Sequence, residues 1–88
     1  MTNYAPTSTR QQIIRLIHRF AEANGYNVRY ASEVLGRSSH LIGRLEAGGE
    51  IGEGTADKIK QRAALYWPRG VRRPRYLPPR PADPPNLN

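Results

Sequence analysis

An 88-residue chain has room for one small domain, and a core of that size normally leaves no space for a buried catalytic cavity. The absence of cysteine excludes disulfides and thiolate metal sites, and no run approaches the roughly 20 apolar residues of a membrane span. Fourteen Lys and Arg against seven Asp and Glu leave a net charge of +7, and twelve of those cations are Arg, which forks onto phosphates and guanine edges; nucleic acid is therefore the expected partner.

Residues 1–7 read as a disordered leader. They lack the basic region and apolar run of a secretory signal, so an intracellular, cytoplasmic setting is expected. Ser8-Thr9-Arg10-Gln11 has the form of a capping box, with the hydroxyl and the amide each reaching an unpaired N–H of the first turn. Ile13, Leu16, Ile17, Phe20 and Ala21 follow at three- and four-residue spacing, which predicts an amphipathic helix ending at Asn24-Gly25. Arg10, Arg15, Arg19 and Glu22 fall on its outer face, and His18 has no evident partner.

Asn27 is placed to cap a second, short helix with Val28, Ala31, Ser32 and Leu35 inward, stopped by Gly36. Ser38 is placed to cap a third, with Leu41 or Ile42 and then Leu45 inward, running to Ala47 and ending at Gly48-Gly49. Glu50 to Gly54 reads as a loop. Gly48 to Gly54 is glycine-rich, but it lacks a Lys-Ser/Thr pair and carries two acids that repel phosphate, so it is no nucleotide loop. Thr55 caps a fourth helix whose inward residues are Ala56, Ile59, Ala63 and Tyr66, and Pro68 ends it. Nothing alternates with period two over a strand length. The expectation is an all-α domain over residues 8–67.

From Pro68 onward the composition changes. Seven of the eight prolines and five arginines lie in residues 68–88, which read as a flexible, polyproline-II-like basic tail. Within it, Arg69, Arg72, Arg73 and Arg75 are candidates to follow a DNA backbone or enter a minor groove. The run Arg75 to Pro81 also has the PxxP form of a ligand for SH3-like grooves, which chance Pro and Arg richness explains adequately. No nucleophile–base pair, carboxylate dyad or metal cluster is visible, so neither an enzyme nor a cofactor is expected.

Two short helices joined by a tight turn at a glycine, the second opening with Ser, form a helix-turn-helix pattern. The stretch Gly36-Arg37-Ser38-Ser39-His40-Leu41-Ile42-Gly43-Arg44-Leu45-Glu46-Ala47-Gly48 resembles the signature of the Cro/phage-repressor-like (XRE-type) helix-turn-helix domains. Gly36, Ser38, Ile42, Arg44, Leu45, Glu46 and Gly48 fall at that signature's intervals, and Thr55-Ala56-Asp57-Lys58-Ile59 resembles the start of the family's fourth helix. The resemblance covers residues 27–66 and implies a compact four-helix, repressor-like domain that acts as a sequence-specific transcriptional regulator. The chain departs from the family in three places. Ala31-Ser32 stands for its usual Leu-Ala, Val28 for its frequent phosphate-binding Gln, and its fifth, dimer-forming helix has no counterpart.

A major groove about 12 Å wide admits one α-helix, whose first residues reach the base edges. By the resemblance and by position on the helical wheel, the readers are Ser39, His40 and Arg44, with Gly43 beside them. Leu41 is a candidate for a thymine methyl. Arg29 and Arg37, with the helix N-termini at Asn27 and Ser38, are the candidate phosphate clamps. Glu46 matches a position that the resemblance makes structural. Tyr66, Trp67, Tyr76 and Leu77 are the apolar residues available to a homodimer interface. Two other readings fit the same pattern: a module whose third helix captures a protein of the transcription machinery, and a sequence-neutral or RNA-binding protein dominated by its tail.

Overall fold

In the computed structural model, residues 8–79 are described, and they form four helices in the order α1 (Thr9–Asn24), α2 (Val28–Gly36), α3 (Leu41–Glu46) and α4 (Glu53–Tyr66). No strand occurs among the described residues, as the all-α expectation required. The expected leader at 1–7 and the last part of the tail, 80–88, lie outside them.

The caps of α1 follow the local code. Ser8 Oγ accepts the Gln11 amide at 3.1 Å, and Gly25 takes the left-handed conformation (φ 73°) at the other end. Asn27 caps α2 in the same way, its Oδ1 accepting the Tyr30 amide at 2.8 Å. The far end of α2 departs from expectation. Gly36 is its last helical residue, and the left-handed position falls one residue later, on Arg37 (φ 62°). Packing explains the shift: a Cβ on Gly36 would collide with the Leu41 side chain, so the glycine is used for close approach and not for the turn. Arg37 then carries a conformation that costs a non-glycine residue about 1 kcal/mol.

α3 is shorter than the expected span from Ser38 to Ala47. Ser38 does not cap it: its Oγ accepts the His40 amide at 3.1 Å within a turn, and the helix proper begins at Leu41 with His40 at its N-cap and no side-chain cap bond. α4 starts earlier than expected, with Gly52 and not Thr55 at its cap. Glu53 in its first turn suits the positive end of the helix dipole and accepts a hydrogen bond from Thr9 Oγ1 at 3.0 Å, joining the starts of α1 and α4.

The core is one cluster. Ile13, Leu16, Ile17, Phe20 and Ala21 of α1 meet Ala31 and Leu35 of α2, Leu41, Ile42 and Leu45 of α3, and Ala56, Ile59, Ala63 and Ala64 of α4. Leu41 and Ile42 both turn inward, which removes Leu41 as a candidate for base contact. Arg10, expected on the outer face, donates from Nη1 to the Leu45 carbonyl at 3.0 Å. Ser32 is the core's buried polar residue. Its Oγ donates to the Ser38 carbonyl at 2.7 Å and accepts the Ile42 amide at 3.1 Å.

The segment after α4 is not the free chain expected of it. Trp67, not Tyr66, turns inward, packing 5.8 Å from Phe20 and donating from Nε1 to the Val71 carbonyl at 3.1 Å; Tyr66 is exposed. Residues 68–79 then fold back until Pro74 and Leu77 are buried against the domain. The apolar pair Trp67 and Leu77 outweighs the proline-rich composition, because both join the buried cluster formed by the helices. Those two residues are thereby taken from the expected dimer surface, leaving Tyr66 and Tyr76.

Ser32→Ala would leave the Ile42 amide unpaired and the Ser38 carbonyl with only the 3.3 Å bond from the Leu41 amide, and should destabilise the fold by about 1–3 kcal/mol in denaturant unfolding. Leu77→Ala should cost about 2 kcal/mol, a loss that a freely moving tail would not produce. Burial raises the Tyr76 phenol above its ordinary 10.0, although Arg19 and Arg15 pull it down. The folded protein thus holds this proton to higher pH than the unfolded chain does. Its contribution is complete below pH 10.0 and is lost as pH rises through the raised value. Melting temperature should therefore fall more steeply above that pH in the parent protein than in Tyr76→Phe.

Candidate nucleic-acid interface

The turn joining α2 to α3 governs where the polar side chains of this region go. Residues 37–40 are short enough that the Ser32 hydroxyl reaches both the Ser38 carbonyl and the Ile42 amide, which fixes α3 against α2. With Leu41, Ile42 and Leu45 committed to the core, Gly43 and Arg44 are left on the outside. Gly48 (φ 103°) reverses the chain after α3, and the Gly49 amide donates to the Arg44 carbonyl at 2.9 Å. A Cβ on Gly49 would lie 2.8 Å from that carbonyl oxygen and 3.0 Å from Arg44 Cγ, so the backbone closes tightly over the stem of this arginine.

An open cleft of about 550 Å³ results, lined among others by Arg29 of α2, Ser39 and His40 of the turn, and Gly43 and Arg44 of α3. All four expected readers thus share one concave surface with one of the expected clamps. His18 and Glu46 complete its far side. They correct the reading of His18 as partnerless: its Nε2 lies 3.2 Å from Glu46 Oε2, tying α1 to the end of α3. Both side chains are about half exposed (49% and 51%), so the pair contributes little to stability and serves to place Glu46, the only acid in the lining. Arg44 makes no ion pair among the described residues, and its charge faces solvent.

Gly43 sits mid-helix without a positive φ, and a Cβ placed on it would meet nothing within 4 Å. Nothing in the protein's own packing calls for a glycine here.

The remaining expected residues lie elsewhere. Asn27 spends its side-chain oxygen on the α2 cap, and Ser38 spends its own on the turn before α3. Arg37 lines a second cleft, of about 430 Å³, with Lys58, Gln61, Arg62 and Leu65 of α4. That cluster was missed in the sequence, where Lys58 and Arg62 show only as an i, i+4 pair on a helix. Arg72 borders a separate hollow with Arg19 and Trp67, Arg73 donates to the Pro78 carbonyl, and Arg69 and Arg75 are exposed. The structure therefore does not gather the tail arginines beside the α3 cleft. No metal-binding group of His, Cys, Asp and Glu occurs among the described residues, and none of their helices is long and apolar enough to cross a membrane. Comparison with family models, with curated proteins and with solved structures gave no match.

Proposed function

We propose that the protein is a sequence-specific, double-stranded DNA-binding regulator of transcription whose α2–turn–α3 unit acts as a helix-turn-helix. The turn residues Ser39 and His40 and the outward residues of α3 read base edges in the major groove. Gly43 carries the reading. Glycine in a helix interior costs about 1 kcal/mol relative to alanine, and the protein's own packing offers nothing in return. A missing side chain on the outermost side of α3, between His40 and Arg44, is what a surface needs to bring a helix backbone close to a second molecule. The +7 charge and the lack of an ion pair at Arg44 make an anionic partner the natural one.

In this role Arg44 forks onto guanine O6 and N7, the pairing that its planar donors fit best. Ser39 and His40 bond to bases or to phosphate, and Arg29 holds the backbone beside the groove. Arg37 and the tail arginines act outside this cleft and add charge attraction without sequence preference. Two copies on one duplex would place their half-sites about one helical turn apart.

Duplexes selected from a random pool supply the cognate sequence. Arg44→Ala should then cost about 1–3 kcal/mol on the cognate duplex and far less on random DNA, measured by fluorescence anisotropy. Equal losses on both would overturn base reading. Gly43→Ala should move two quantities in opposite directions. Thermal stability rises by up to about 1 kcal/mol, because a helix gains an alanine in open space, while cognate affinity falls. Unchanged affinity in that variant would remove the observation on which the proposal stands. Affinity should also fall steeply with salt, since phosphate contacts release counterions. A salt-insensitive complex with a protein would point instead to a transcription-machinery partner.

A further inference from the structure

We infer that the second cleft, between the Arg37 turn and the outer side of α4, is a phosphate-binding site formed by Arg37, Lys58, Gln61 and Arg62. Its lining holds three cations and an amide and no carboxylate. Asp57, the nearest acid in sequence on α4, lines a neighbouring hollow with Lys60, Tyr76 and Pro78, which meets this cleft at Gln61. None of the three cations makes an ion pair among the described residues. Like charges gathered in this way repel each other, and an anion seated between them turns that repulsion into attraction.

Two features mark the cluster as organised. Arg62 is anchored: its Nη1 donates to the Leu35 carbonyl at 2.8 Å, which fixes the guanidinium at the end of α2 and leaves its other N–H groups for the cleft. Arg37 occupies the one positive-φ position among the described residues that is not glycine. The backbone there favours glycine, yet the chain places a guanidinium at the cleft's other wall. Lys58 and Arg62, four residues apart on one face of α4, supply the opposing side with Gln61 as a neutral donor. Planar forks and a mobile ammonium together match the several oxygens of a phosphate.

Phosphate could reach this cleft as a free ion or as part of a nucleic-acid backbone. Arg37 lies two residues before Ser39 and three before His40 of the first cleft, so the two clefts flank a single turn. The phosphate chemistry stands on these residues alone, whereas its assignment to a DNA strand rests on the function proposed above.

The test is a titration of the full chain with inorganic phosphate, followed by NMR at constant ionic strength with chloride as control. Saturable shifts are expected at Arg37, Lys58 and Arg62 and not at Arg44. Arg37→Gly and Lys58→Gln should each weaken the response about fivefold, the loss of one charge-assisted bond. Arg37→Gly should also raise the melting temperature by relieving the backbone, so lost binding there cannot reflect lost folding. A non-saturating response, or one that both variants retain in full, would overturn the site. A second arm identifies the source. If the phosphate is a duplex's, each variant lowers the slope of log affinity against log salt by about one. An unchanged slope alongside the lost titration assigns the site to free phosphate. The first arm contains no DNA, so failure of sequence reading and failure of this site remain distinguishable.

Discussion

A single buried hydroxyl holds α2, the turn after it and α3 in shape. Ser32 is fully enclosed, yet it bridges two stretches of chain, donating to the Ser38 carbonyl and accepting the Ile42 amide. Apolar contacts are tolerant of small slides and rotations, whereas two hydrogen bonds from one oxygen set a direction and a distance. The turn at residues 37–40 is pinned from beneath, and the placement of α3 follows. So does the close approach of Gly36 to Leu41, and with it the transfer of the left-handed position to Arg37. Both clefts described above border this turn, and the first would lose its lining if α3 slid against α2.

Two positions on the outside run against their local backbone preferences. Gly43 weakens a short helix where any side chain would fit, and Arg37 holds a conformation that suits glycine. In a sequence tuned for folding alone, the two residue types would be better exchanged. Each lies at the edge of a concave, cation-lined surface. Local inconsistency that the fold does not offset is most often found where a chain serves a partner as well as itself. The α3 cleft presents hydroxyl, imidazole and guanidinium groups at a backbone left bare, and the α4 cleft presents clustered charge.

The segment after α4 shows how a small domain enlarges a limited core. Helices of 16, 9, 6 and 14 residues supply most of the buried cluster. Trp67 and Leu77 add to it from beyond α4, and the Lys60 ammonium lies over the Tyr76 ring, 6.0 Å from its centroid. Trp67 and Leu77, with the buried Pro74, dock a stretch that is otherwise rich in proline and arginine. The consequence is that Arg72 and Arg73 are carried on a docked segment and not on a swinging arm.

The helices, their order and most inward residues were legible from residue spacing, since a 3.6-residue period and a cap are properties of neighbouring positions. So was the grouping of Ser39, His40, Gly43 and Arg44, which follows once Leu41 to Leu45 is helical and its apolar members face in. Four matters were decided only by the tertiary structure. They are the shift of the positive φ from Gly36 to Arg37, the burial of Trp67 and Leu77, the pairing of His18 with Glu46 across 28 positions, and the meeting of Arg37 with Lys58 and Arg62. Each depends on which surfaces of two distant segments come to face each other. Local propensity carries no record of that; it is settled when the whole chain packs around its core.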